Sequence, residues 1–147
     1  MLNSNKNINW IPKAKSISGV NYSMDHTQTI KGLCHCGNVQ FELTNIPEWL
    51  TSCNCSICTK LGTIWAHDEI SSIILKYDVS KTSTYIWGDK TLAFHTCKTC
   101  GCTTHWESLD STKLSIMGVN FKMCSEHDIS RYRIRIWDGA NSNRYLN

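Results

Sequence analysis

The sequence predicts an all-β domain, and three observations predict it. Val39, Phe41 and Leu43 alternate with Asn38, Gln40, Glu42 and Thr44, the period-two pattern of a half-buried strand. Two strand-like runs, Thr84–Trp87 and Thr91–His95, flank Gly88-Asp89-Lys90, which reads as a glycine-containing hairpin turn. No long amphipathic helix and no repeat of solenoid length interrupts these short runs.

The elements follow in order. Residues 1–28 are rich in Asn, Ser and Lys without a sustained period, so they are expected to be an extension, poorly structured or loosely docked through Trp10, Ile11 and Tyr22. The ordered domain is expected over 29–147. After the Val39–Leu43 strand, Pro47 interrupts the chain before Trp49–Ser52 leads into a second group of cysteines. Thr63–Ala66 and Ile73–Tyr77 are further strand candidates, the second also compatible with a short helix. Leu114–Val119 and Tyr132–Trp137 complete the set, with a helical turn expected near Ser125–Ser130. Helical structure is thus limited to short turns.

A chain of 147 residues forms one ordinary domain. At this size folding buries roughly 68–70% of the surface the unfolded chain exposes, so disulfide staples are not needed. Nine cysteines therefore exceed what packing requires. No apolar run is long enough to cross a bilayer, and Met1–Ser18 lacks the apolar stretch of a secretory signal. A cytoplasmic location with reduced thiols is expected, and clustered reduced thiols read as metal ligands. The formal charge of +3 counts every cysteine as neutral. Seven thiolates with two divalent ions would bring it to about zero, which removes most of the case for a nucleic-acid partner.

Three clusters carry the chemistry: Cys34-His35-Cys36-Gly37, Cys53-Asn54-Cys55-Ser56-Ile57-Cys58 and Cys97-Lys98-Thr99-Cys100-Gly101-Cys102. The first and third share a form, two close cysteines followed by a glycine that permits the positive φ of a tight turn. Pairing Cys34 and Cys36 with Cys97 and Cys100 closes a four-thiolate tetrahedral site without a vacancy, which suits a structural zinc. The middle cluster offers Cys53, Cys55 and Cys58 within six residues and no obvious fourth ligand beside them. Three protein ligands and an open position is how a catalytic zinc is built. The open position suits water or the sulfur of a substrate thiol, which zinc would hold as a nucleophilic thiolate.

Blander readings stand beside these. Cys102, His95 or His105 would complete the middle site and make both zincs structural. Cys102 otherwise reads as a spare thiol and Cys124 as a small buried hydrophobe. His35, between two ligands, is expected to point away from the metal, and His95 reads as a strand residue. Trp65, Trp87 and Trp106 are candidates for core or cleft walls, with Trp65 also a candidate substrate contact. Lys60 either meets a substrate carboxylate or is a solvated surface lysine.

Several stretches resemble the glutathione-dependent formaldehyde-activating enzymes, grouped with centromere protein V. They are Gly32-Leu-Cys-His-Cys-Gly-Asn-Val-Gln-Phe-Glu42, Cys53-Asn-Cys-Ser-Ile-Cys58 and Phe94-His-Thr-Cys-Lys-Thr-Cys-Gly101, with Met117-Gly-Val-Asn-Phe121 and Ile136-Trp-Asp-Gly139 in the tail. The resemblance implies a β-tent fold of twisted antiparallel sheets, a structural zinc on Cys34, Cys36, Cys97 and Cys100, and a second, open zinc on Cys53, Cys55 and Cys58. It also implies a carbon–sulfur lyase that joins formaldehyde to glutathione as S-hydroxymethylglutathione. The chain departs from the family after the trio, where Thr59 precedes Lys60 in place of two basic residues. The competing expectation is a non-catalytic, zinc-stabilised binding module for a protein or nucleic acid. It rests on Arg131, Arg133 and Arg135, which would share one face of a strand.

Overall fold

The computed structural model describes residues 29–147. The expected extension, with Trp10, Ile11 and Tyr22, lies outside the described residues. Among the described residues ten strands and one short helix follow in order: β1 (Ile30–Leu33), β2 (Val39–Leu43), β3 (Leu50–Cys53), α1 (Ser56–Leu61), β4 (Trp65–Glu69), β5 (Ile73–Tyr77), β6 (Thr82–Ile86), β7 (Leu92–Cys97), β8 (Thr103–Ser108), β9 (Ile116–Asn120) and β10 (Ile134–Trp137). The expected all-β class holds, and among the described residues helical structure is confined to α1 and isolated 3-10 turns. No helix among the described residues is long and apolar enough to cross a membrane.

Two twisted sheets form. A three-stranded sheet has the order β1-β2-β5, and a seven-stranded sheet the order β10-β3-β4-β9-β8-β7-β6. Every pairing is antiparallel except β10 beside β3, which runs parallel and sets Trp137 opposite Cys53. That parallel pair carries the end of the chain back to a cysteine laid down more than eighty residues earlier.

The alternation read at Val39–Leu43 appears as burial: Val39, Phe41 and Leu43 are at most 1% exposed. Removing side chains of this size from water stabilises the fold by about 1.5–3 kcal/mol each. Gly32 on β1 pairs with Phe41, and a Cβ there would lie 2.2 Å from the Phe41 ring, so only glycine lets the ring cover the strand. The hairpin joining β6 to β7 turns at Gly88, where φ is +62°, and closes by the Lys90 N–H donating to the Trp87 carbonyl at 3.1 Å. The turn expected near Ser125–Ser130 is a 3-10 turn at Ile129–Arg131, capped by the Asp128 carboxylate accepting from Ser130 N–H at 2.9 Å.

The central strands of the seven-stranded sheet, β8 and β9, are buried on both faces, and the alternation along the sheet sorts two apolar clusters. Ala66, Met117 and Val119 join β1, β2 and β5 in the larger cluster, which also holds Cys34 and Cys97. Trp65, Phe94, Trp106 and Ile116 form the smaller cluster, against which Cys53 and Cys55 pack and in which Cys58 is buried. Each face of this sheet therefore serves one group of cysteines.

Candidate metal centres

The first centre is built from two matching turns. The Gly37 N–H donates to the Cys34 carbonyl and the Gly101 N–H to the Cys97 carbonyl, each at 2.8 Å. Both glycines adopt positive φ, +79° and +73°, as the Cys-Gly spacing predicts. The turns meet although 61 residues separate them: Cys36 Sγ lies 3.5 Å from Cys97 Sγ and 3.7 Å from Cys34 Sγ. Val39 N–H donates to Cys34 Sγ at 3.2 Å. The four sulfurs of Cys34, Cys36, Cys97 and Cys100 lie within 4.8 Å of one another, a donor set that fits a thiophilic divalent ion.

In the free thiol cluster the protons distribute unevenly. Cys100 is lowered to about 6 because hydrogen bonds from the Cys102 and Cys36 backbones outweigh its burial. Cys36 is pushed up to about 12: its backbone bond from Asn38 lowers it, but desolvation and bonds with Cys97, Cys100 and Cys34 prevail. Crowded thiols of this kind cannot all ionise until a cation joins them.

The second centre is local in sequence. β3 ends at Cys53, Cys55 caps α1, and Cys58 sits in the first turn of that helix. Thr59 N–H donates to the Cys55 carbonyl at 3.0 Å, which winds the chain so that the three sulfurs converge. Gly62, in the left-handed region at φ +62°, ends the helix with its N–H on the Cys58 carbonyl. The sulfurs of Cys53, Cys55 and Cys58 lie within 4.8 Å of one another, and among the described residues no fourth His, Cys, Asp or Glu joins the group. Cys53 is lowered to about 6, first by the hydrogen bond from the Cys58 thiol, and the same bond with burial pushes Cys58 upward.

Hydrogen bonds converge on these sulfurs from outside the motif. Cys55 N–H donates to Cys53 Sγ at 3.4 Å, and Trp65 Nε1 donates to Cys58 Sγ at the same distance. Asn54, between two of the cysteines, reaches across to the end of the chain: its Nδ2 donates to Asp138 Oδ1 at 2.8 Å, and its Oδ1 accepts from Ala140 N–H at 3.0 Å.

A model of the family described as glutathione-dependent formaldehyde-activating enzyme matches residues 29–139, which span both centres. The chain belongs to this family. Among solved structures it is similar to a crystallised protein of Rhodobacter sphaeroides, with 28% identity, a TM-score of 0.60, and coverage of 71% of this chain and 97% of that one. No curated protein matches it.

Within this family member, the sequence-derived sulfur groups are the two groups that the fold assembles. The three residues considered as a fourth ligand to the trio stand elsewhere. Cys102 neighbours Cys100, His95 Nε2–H donates to Glu107 Oε1 at 2.9 Å, and His105 stacks on His95 with ring centroids 4.2 Å apart. His35 is exposed, and Cys124 is a buried thiol pushed up to about 12 by desolvation. Lys60 is exposed on the last turn of α1. Trp65 is 1% exposed, with its indole N–H directed at Cys58, a hold on the sulfur that the sequence reading did not anticipate. Trp106 is buried beside it and Trp87 is exposed. The three arginines do not share one strand face: β10 begins only at Ile134, Arg131 lies in a 3-10 turn, and Arg135 stacks over Trp49 and Tyr145.

Asn54, Asp138 and Gly139 were not singled out from the sequence for the site. The one signal available was the Asp-Gly pair closing the last strand, and nothing in its spacing points to Asn54.

Proposed function

We propose that this chain is a zinc-dependent carbon–sulfur lyase-type enzyme that joins a small thiol, glutathione, to formaldehyde in a reducing, cytoplasmic compartment. The observation that carries the reading is the second sulfur group: three cysteines converge, and among the described residues no fourth side-chain ligand completes them. Membership of the family supplies the substrate class.

On this reading Cys34, Cys36, Cys97 and Cys100 hold one zinc and close it off, while Cys53, Cys55 and Cys58 hold the other and leave room for a ligand. When bound there, zinc supplies a thiophilic Lewis acid that favours the ionised form of an incoming thiol. The residues around the trio shape what can approach. Trp65, Phe94, Trp106 and Ile116 back the sulfurs with apolar surface, which limits water on that side. Lys60, exposed beyond Cys58, offers an ammonium to a substrate carboxylate.

The reaction is an addition. A carbon–sulfur bond forms between the thiol sulfur and the aldehyde carbon, the carbonyl π pair moves to oxygen, and the proton given up by the thiol ends on that oxygen as the hydroxyl of the S-hydroxymethyl adduct. No further reactant is consumed, and cleavage is the same step reversed.

Cys55→Ser tests the reading. The expected variant keeps its fold and one zinc, loses the second zinc, and forms adduct at the rate of the uncatalysed mixture. Unaltered, zinc-loaded protein that accelerates adduct formation with none of a panel of thiols would refute it.

A further inference from the structure

We propose that the turn Asp138–Arg144, clasped to Asn54, is a positioning device for the three-sulfur centre, setting the placement of Cys53 and Cys55 and so the affinity and ligand field of the metal they hold. The inference rests on the reading of the trio as a metal site.

Four observations carry it. Asn54 lies between two ligands, and both ends of its side-chain amide are engaged by residues 84 and 86 positions away. Its backbone is held as well, Asn54 N–H donating to the Trp137 carbonyl at 3.1 Å. The peptide joining Cys53 to Cys55 is therefore fixed on the main-chain and side-chain sides at once.

The partner of Asn54 is itself rigidly set. Asp138 is 6% exposed, and among the described residues no cationic side chain bonds to it. Its carboxylate accepts instead from Ser142 Oγ at 2.6 Å, Ser142 N–H at 3.0 Å and Asn141 Nδ2 at 3.2 Å, besides Asn54. Backbone bonds close the same loop: Asn143 N–H donates to the Asp138 carbonyl at 2.7 Å, and Asp138 N–H to the Arg144 carbonyl at 2.9 Å. A buried carboxylate this fully occupied is costly unless all its bonds are kept, so the turn has one geometry.

That geometry brings Gly139 against the ligands. A Cβ at Gly139 would lie 2.9 Å from Cys53 Sγ and 3.1 Å from Cys55 Cβ, and the Gly139 N–H donates to Cys53. φ at Gly139 is not in the left-handed region, so backbone conformation does not demand glycine here. The requirement is the close approach to sulfur. Residues that orient ligands in this way typically alter metal affinity by about 10–100-fold when removed.

The test uses the full chain with its closed site loaded. The second site is stripped with a mild chelator and titrated with Co²⁺, reading sulfur-to-cobalt charge-transfer bands, d–d bands and affinity against a competing chelator. Gly139→Ala and Asn54→Ala are each expected to weaken second-site cobalt binding by about 10–100-fold and to shift its d–d bands. The zinc of the closed site and the far-UV circular dichroism should stay as in the unaltered protein. Asp138→Asn, which keeps an acceptor for the Asn54 amide, is expected to recover part of the lost affinity relative to Asp138→Ala. Should Gly139→Ala not fold, Ser142→Ala carries the same test from the far side of the turn. Variants with unaltered affinity and spectrum overturn the clasp while leaving the metal reading intact. An unaltered protein that takes up no cobalt beyond the closed site overturns the metal reading, and this proposal with it.

Discussion

The two sulfur centres sit on opposite faces of one sheet and are assembled in opposite ways. The four-sulfur group draws its ligands from turns 61 residues apart, yet each turn is held by its own short hydrogen bonds and its own glycine. The three-sulfur group draws its ligands from six neighbouring residues, yet its support comes from far away: Trp65 on β4 and the turn after β10. Ligand spacing and site autonomy are therefore separate properties. A centre whose ligands are distant ties the chain together, and its loss falls on the fold. A centre whose ligands are local ties nothing together, so its loss should fall on chemistry and leave the fold in place.

Cys97→Ser is the harshest way to break that contrast. Structural zinc contributes roughly 10–16 kcal/mol in small domains, against a whole-domain stability of about 5–15 kcal/mol. The variant is expected to lose its strand signal in far-UV circular dichroism and its cooperative unfolding transition. Cys55→Ser should keep both. If both substitutions leave a folded chain with one zinc, the distinction between the centres is wrong.

How much of this was legible depended on where the signal was local. The grouping of the seven cysteines could be read because close-spaced cysteines that are not paired as disulfides have few other uses than holding a metal. β2 could be read because it has one buried and one exposed face, and Val39–Leu43 lies within the alternation read from Asn38 to Thr44; Ile73–Tyr77, left open between strand and short helix, is the strand β5. β8, Thr103–Ser108, could not. It is a central strand buried on both faces, and its Thr104 and His105 are 0% exposed, so hydropathy does not alternate along it. β1 is four residues long with a glycine inside it, too short for a period. The Asn54–Asp138 bond spans 84 residues and joins two residue types common in any loop.

Acid sharpens the comparison, because each face of the large sheet buries a histidine. His67 is packed against Trp106 on the face of the trio, and His105 lies under Tyr77 of the three-stranded sheet on the other. Burial holds each at about 3, with His95 adding to the effect on His105. The folded pKa is below the unfolded one, so below about 6.5 the unfolded chain binds protons that the folded chain refuses. Stability should be level above that pH and fall as pH drops toward 3, by about 1.4 kcal/mol per pH unit for each histidine. Denaturant titrations at pH 7.5 and 5.5 with saturating zinc measure the fall. His67→Gln should reduce it by one histidine's share, and an unchanged fall would remove His67 as a source of the acid sensitivity.

The finest test is Trp65→Phe. The substitution keeps an aromatic ring in a 1% exposed position beside Phe94, whose ring centroid is 6.1 Å away, and removes the indole N–H that reaches Cys58 Sγ at 3.4 Å. A hydrogen bond of this kind contributes about 0.5–1.5 kcal/mol, and the smaller ring adds the cost of a modest cavity. The closed centre has no contact with Trp65 among its bonds, so its zinc should be held as before. The open centre should bind its metal several-fold more weakly, because Cys58 is freer to turn and its thiolate loses a donor. Competition with a chromophoric chelator resolves the two zincs by affinity. Equal weakening at both would mean that Trp65 acts through the general stability of the sheet. Weakening confined to the second zinc would show that a centre with neighbouring ligands still takes its strength from residues outside the motif.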